Sequence, residues 1–332
     1  MIKRTYPQSR LRRTRAKSFL RDLVAENNLS TNDLIQPIFI SDQSEKTVEI
    51  PSMPGIYRHN LESLYSETEA LIKLGIKSVA IFPAIDAEKK DQKGSHAFDD
   101  DNIVCLALKG LVERFPEVIK IADVALDPFT DHGHDGVLLD GKVDNDQTLE
   151  LLQNQALILA QSGADVLAPS DMMDGRVKVI RDILESNSFV DTIILSYAAK
   201  YASSFYGPFR EAVGSRNLKT LIDKSSYQMN PANSDEAMRE ISLDINEGAD
   251  MIIIKPGMPY LDIIYRAHKE FNFPILAYQV SGEYSMISQL SKIGFIDYEK
   301  AVLESLIGFK RAGACGILSY FSLDAASMLK DI

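Results

Sequence analysis

Eight short runs rich in isoleucine and valine recur along the chain, separated by segments whose apolar residues repeat at helical spacing. The runs cover 34–40, 78–82, 119–125, 166–168, 192–197, 251–255, 275–280 and 316–321. They are continuous rather than alternating, the pattern of strands buried on both faces. Such strands need helices over both faces of an open sheet, or around a sheet closed on itself. Helical patterns at 61–74, 147–161, 176–185, 235–247 and 260–271 supply that layer. Several helices share one exit: Leu74-Gly75, Ser162-Gly163-Ala164-Asp165, Glu247-Gly248-Ala249-Asp250 and Ala312-Gly313-Ala314. Glycine there supplies a left-handed cap before the chain re-enters the sheet, so the repeated step is structural rather than catalytic. The alternation predicts an α/β fold, a (β/α)8 TIM barrel with an extended N-terminal arm. A doubly wound open sheet is the alternative, weakened because no Gly-x-Gly-x-x-Gly follows the first run.

The chain has 332 residues, room for a barrel of roughly 250 residues plus extensions. Residues 1–30 read as the arm, for contacts within an oligomer, and 31–332 as a single catalytic barrel. The arm carries Lys3, Arg4, Arg10, Arg12, Arg13, Arg15 and Lys17. No apolar segment follows, which argues against a secretory signal and leaves a basic targeting peptide open. On a chain of formal net charge −11, a basic arm can dock on a neighbouring subunit. The same charge argues against nucleic acid as a partner, since phosphates would be repelled. No apolar stretch reaches the roughly 18–20 residues that span a bilayer, so no membrane partner is expected. Cys105 and Cys315 form no disulfide framework and read as reduced core thiols of a cytoplasmic protein.

In a barrel the carboxyl ends of the strands face the active site. There the sequence offers Asp123, Asp127, Asp131 and Asp135 after the third run, with His132 and His134 among them. It offers Ser170, Asp171, Asp174 and Arg176 after the fourth, Lys200 after the fifth and Lys255 after the sixth. Lys255 ends the run Met251-Ile252-Ile253-Ile254, so its stem leaves an apolar wall. Desolvation and a second ammonium nearby would both favour a neutral amine, which attacks ketones to form an imine. Lys200 can be that second cation or an imine former itself. A pair of strand-end lysines in salt bridges is the competing reading. The aspartates could hold a hard divalent ion, move protons, or belong to a solvated loop. Two histidines without a third nitrogen or sulfur ligand give zinc little support, and they read as loop-stabilising. Segment 201–224, with Gly207-Pro208 and aromatic residues, reads as a lid or a plain surface loop carrying Arg210. Asp171, Asp174 and Arg176 read as a structural network.

These residues together resemble porphobilinogen synthase, also called 5-aminolevulinate dehydratase, from Arg10-Leu11-Arg12-Arg13 almost to the C-terminus. The most specific matches are 196–200 running into 201–210, Lys255-Pro256-Gly257 with Pro259-Tyr260-Leu261-Asp262, and 278–284. Residues 168–176 and Ser226-Tyr227-Gln228-Met229-Asn230-Pro231 add to them. The resemblance implies asymmetric condensation of two 5-aminolevulinate molecules to porphobilinogen, with loss of two waters, through Schiff bases in tetrapyrrole biosynthesis. It makes Lys255 the lysine that binds the first substrate and Lys200 its partner. By the same resemblance Ser281 and Tyr320 bind the first carboxylate; Arg210, Lys224 and Gln228 bind the second, under a lid that includes Tyr206. Asp123 and Ser170 fall near the first amino group. Zinc-using members carry cysteines where this chain has Ala125, Asp127 and Asp135, so the chain resembles the aspartate-rich, magnesium-type branch and no catalytic Zn2+ is expected. Glu240 matches an allosteric Mg2+ position. The basic arm matches one that wraps a neighbour and builds homo-octamers.

Overall fold

The computed structural model describes residues 5–42, 47–214 and 223–330. Eight parallel strands run in sequence order around a closed cylinder. They are β1 (Leu34–Ser41), β2 (Ser78–Ala84), β3 (Ile119–Val124) and β4 (Val166–Pro169). They continue as β5 (Ile193–Lys200), β6 (Met251–Lys255), β7 (Ile275–Gln279) and β8 (Gly316–Ser319). Leu34 pairs with Ile317 and Ile35 with Leu318, closing β8 onto β1. Closure rules out the open sheet. All eight runs became strands because their apolar side chains are buried on both the lumen and the helix side; every residue of Leu34–Ser41 is buried.

The helices between the strands form where expected. Helix Asn145–Gln161 begins two residues early because the Asp144 side chain accepts from the Gln147 N–H at 2.9 Å and caps it. Gly75 and Gly313 end their helices at φ of 91° and 113°, a left-handed conformation that favours glycine. Short antiparallel pairs decorate the connections: Val48–Glu49 with Tyr57–His59, and Leu138–Leu139 with Lys142–Val143.

Aromatic rings fill the lumen toward the strands' carboxyl ends. Phe39 stacks on Tyr320 at 5.7 Å between centroids and Phe82 on Tyr278 at 6.1 Å. Removing one such buried ring would cost roughly 3–5 kcal/mol. Before β1, the described residues form a 3-10 turn at Leu11–Arg15 and a helix at Ser18–Leu23, neither with a buried residue. Lys3 and Arg4 of the basic stretch lie outside the described residues. Both cysteines are unpaired, but only Cys105 is in the core. Cys315 is exposed, because it precedes β8 at the amino end of the barrel, where its Sγ donates to the Ile275 carbonyl at 3.2 Å. No described helix is long and apolar enough to cross a membrane.

Candidate active site

Lys200 and Lys255 are direct register partners at the carboxyl ends of adjacent strands. A β-bulge brings this about. Ile252 pairs with Ser196, but two residues on Ile254 pairs with Ala199, so β5 holds one extra residue. Ser196 points outward, its hydroxyl against Arg176 and Asp244. Without the extra residue, position 200 would share that outer face, since side chains alternate with period two. The bulge turns Lys200 inward instead, toward Asp135 and the Ser170 carbonyl.

Lys255 is only 5% exposed. Its Nζ lies 4.7 Å from the Tyr278 ring centre, 4.9 Å from Phe209, 5.2 Å from Tyr197 and 5.3 Å from Tyr206. Burial and the neighbouring Lys200 charge pull the amine down to about 7, against the opposing pull of Asp123, Asp127 and Asp135. A substantial fraction is therefore neutral and nucleophilic near neutral pH. Asp123 is the complement: burial pushes its carboxyl up to about 7, though Lys255 and Lys200 oppose this. Its Oδ1 is buried without a hydrogen-bond partner among the described residues.

The aspartates divide by role rather than acting as one cluster. Asp127 and Asp135 hold the Lys224 ammonium at 3.0 and 2.7 Å. Burial works to raise the Asp135 carboxyl, and the charges of Lys200 and Lys224 outweigh it, holding it well below the usual range. Asp131 is exposed on the loop surface. His132 accepts from the His134 N–H at 3.1 Å and meets the Gln92 carbonyl, while His134 Nδ1 meets the Tyr227 hydroxyl at 3.1 Å. The histidines thus brace the loop.

The remaining expected residues gather at the same mouth. Ser281 Oγ accepts from the Phe209 N–H at 2.9 Å, tying helix Ser281–Lys292 to helix Gly207–Ala212. Tyr206, whose hydroxyl donates to the Tyr201 and Lys255 carbonyls, and the half-buried Arg210 lie on this covering segment. Residues 215–222 of the expected lid lie outside the described residues. Tyr320 meets the Tyr278 hydroxyl at 2.8 Å. Gln228 lines a cleft of about 960 Å3 beside His134 and Tyr227. That cleft does not open over Lys255, which Tyr206 and Phe209 cover. Glu240 stands apart, on helix Asp235–Asn246, facing the same cleft with Asp174 and Glu236.

Arg176 and Asp244 form a buried ion pair at 2.9 Å, and Asp171 caps the Met173 N–H at 2.7 Å. Asp171 and Arg176 are structural, as their positions suggested. The rings of Phe209 and Tyr278 were not expected beside the amine. The signal was the count of aromatic residues at strand ends and in 201–210.

Two lysines paired across adjacent barrel strands, one buried among aromatic rings, invite comparison with known proteins. Residues 8–328 match the family model described as delta-aminolevulinic acid dehydratase. The chain belongs to the delta-aminolevulinic acid dehydratase family. It is 51% identical over 322 residues to the delta-aminolevulinic acid dehydratase of Bradyrhizobium diazoefficiens, covering 97% of this chain and 91% of that one. The Rhodobacter capsulatus dehydratase is 47% identical, with 99% of each covered. The crystal structure of the Toxoplasma gondii dehydratase, in complex with its product porphobilinogen, superimposes with a TM-score of 0.95 at 44% identity. It covers 98% of this chain and 93% of that one.

Proposed function

We propose that this barrel is a porphobilinogen synthase, condensing two molecules of 5-aminolevulinate with loss of two waters. The observation that carries the reading is the Lys255 amine, buried within four aromatic rings and paired across the sheet with Lys200. The Lys255 amine adds to the ketone of the first substrate, and loss of water leaves an imine that serves as an electron sink. Ser281 and Tyr320 hold the carboxylate of that molecule, and Asp123 with Ser170 receives its amino group. Lys200 engages the second molecule, whose carboxylate is held by Arg210, Lys224 and Gln228 beneath the segment bearing Tyr206. Holding two copies of one compound in different orientations removes the entropy cost of random encounter.

The donor set at Asp127 and Asp135 suits neither a thiolate-bound zinc nor a required ion, because two lysines, Lys224 and Lys200, already balance the two carboxylates. Glu240 differs. Its carboxyl lines the open cleft, so it offers a single oxygen donor to a Mg2+ that keeps most of its waters, as that ion usually does. That ion would bias the assembly rather than enter the reaction. Arg10, Arg12, Arg13, Arg15 and Lys17 of the basic arm are exposed, which suits a contact with a neighbouring subunit in a homo-octamer, and we place the enzyme in the cytoplasm.

The test is incubation with 5-aminolevulinate and colorimetric detection of the pyrrole, with borohydride trapping at Lys255 read by mass spectrometry. Wild type should give both signals and Lys255→Ala neither. A wild type that yields no pyrrole across pH and Mg2+ concentrations sinks the reading.

A further inference from the structure

Glu283 is a fully buried acid at the mouth, yet the chemistry above gives it no task. Its Oε2 accepts from the Val280 N–H at 2.6 Å and, more weakly, from Gly257 at 3.5 Å. Its Oε1 accepts from the Met258 N–H at 2.5 Å. The bond to Val280 alone would be ordinary helix capping. The bonds to Gly257 and Met258 are not, because those residues belong to the loop that leaves β6 immediately after Lys255.

We infer that Glu283 is a positioning residue that sets the distance between the Lys255 amine and the Ser281 hydroxyl. This rests on the reading that both attach the first substrate. One carboxylate joins the ends of two strands: Val280 precedes Ser281 by one residue, and Gly257 follows Lys255 by two. The surroundings leave no slack. A Cβ on Gly257 would lie 2.6 Å from the Phe309 ring and 2.9 Å from the Tyr278 carbonyl. One on Gly282 would lie 2.5 Å from the Phe205 carbonyl, so the covering turn rests directly on the first turn of the helix. Ser281 reaches that turn with its hydroxyl, which donates weakly to the Phe205 carbonyl at 3.4 Å, and reaches the helix after it through the Phe209 N–H. The carboxylate thus clasps nucleophile, carboxylate site and cover into one unit.

A carboxylate is needed because each of its oxygens accepts on a different side. Glutamine has one acceptor oxygen and must present its NH2 either to the Met258 N–H or to the Val280 and Gly257 N–H groups, so one arm of the clasp opens. Full-length wild type and E283Q are compared for kcat, KM, borohydride-trapped imine at Lys255 and amide exchange across 256–260. The variant should lose about 100-fold in kcat, the scale of a reacting group misplaced by an ångström. KM should change little, since Ser281 and Tyr320 still bind substrate. Imine trapping should slow in step, and the amides of Gly257 and Met258 should exchange faster.

A folded E283Q with wild-type kcat and trapping rate overturns the clasp, as does one that only raises KM. Wild type alone supplies a check that survives misfolding of the variant. If its Gly257 and Met258 amides exchange as freely as in an unfolded peptide, the clasp does not exist. A wild type that forms no pyrrole instead overturns the reading on which the clasp rests.

Discussion

Lys255 stands on a strand of isoleucines and ends inside four aromatic rings, and the fold is less stable for it. Its amine titrates near 7 when folded, against about 10.5 for a free lysine. Between those values the unfolded chain binds the extra proton, so stability from this group rises with pH across that window. The penalty is complete below about pH 7 and fades toward pH 10.5. Lys255→Met keeps the length and apolar stem and removes the amine. It should abolish borohydride trapping and raise stability at pH 6 by roughly 1–4 kcal/mol, the range seen when buried charge gives way to apolar packing. Thermal unfolding at pH 6 and 9.5 measures it. Equal melting temperatures for wild type and variant at pH 6 would show that the amine bears no burial penalty.

Helix Gly207–Ala212 covers the amine with only six residues, too few to persist on their own. It is held from outside at both ends. Ser281 takes the Phe209 N–H near its start. At its end, Arg58 donates to the Glu211 and Ala212 carbonyls at 2.5 and 2.6 Å, satisfying terminal carbonyls and opposing the helix dipole. Arg58→Ala should therefore loosen the cover while leaving the lysines in place. Stability should fall by about 1–3 kcal/mol, KM should rise, and proteolysis within 207–214 should quicken. A variant with wild-type KM and cleavage rate would mean that Arg58 does not hold the cover. Such long-range ties escape the sequence. The strands were legible because burial on both faces writes an apolar run, whereas Arg58 and Glu211 are far apart in the chain and share no pattern. The bulge in β5 was hidden for the opposite reason: Tyr197-Ala198-Ala199 is apolar throughout, and a uniform run carries no phase to show an extra residue. Lys200 and Lys255 could be placed at strand ends from spacing, but their direct pairing needed the register.

Across the whole molecule, charge is unevenly shared: the chain is at −11, yet its first segment is basic and leaves Leu11, Phe19 and Leu23 at least 60% exposed. Apolar side chains left in water on a basic extension are best satisfied against an acidic neighbour, which is why the arm reads as a subunit contact. Its composition was legible early; the exposure of those three apolar side chains needed the structure. Glu240 belongs to the same scale. It is not among the residues around the Lys255 amine, and we propose that an ion there acts by favouring one arrangement of subunits over another. Chelation by EDTA should lower activity and Mg2+ should restore it, with a matching change in sedimentation toward and away from the largest species. A zinc-selective chelator should do little. Glu240→Gln should keep basal pyrrole formation and lose both Mg2+ responses together, since Glu240 itself is assigned no contact with substrate. If activity returned with Mg2+ while sedimentation stayed fixed, the ion would be acting at the chemistry and not on the assembly. If Zn2+ alone restored activity, the oxygen donors of this chain would have been assigned to the wrong metal.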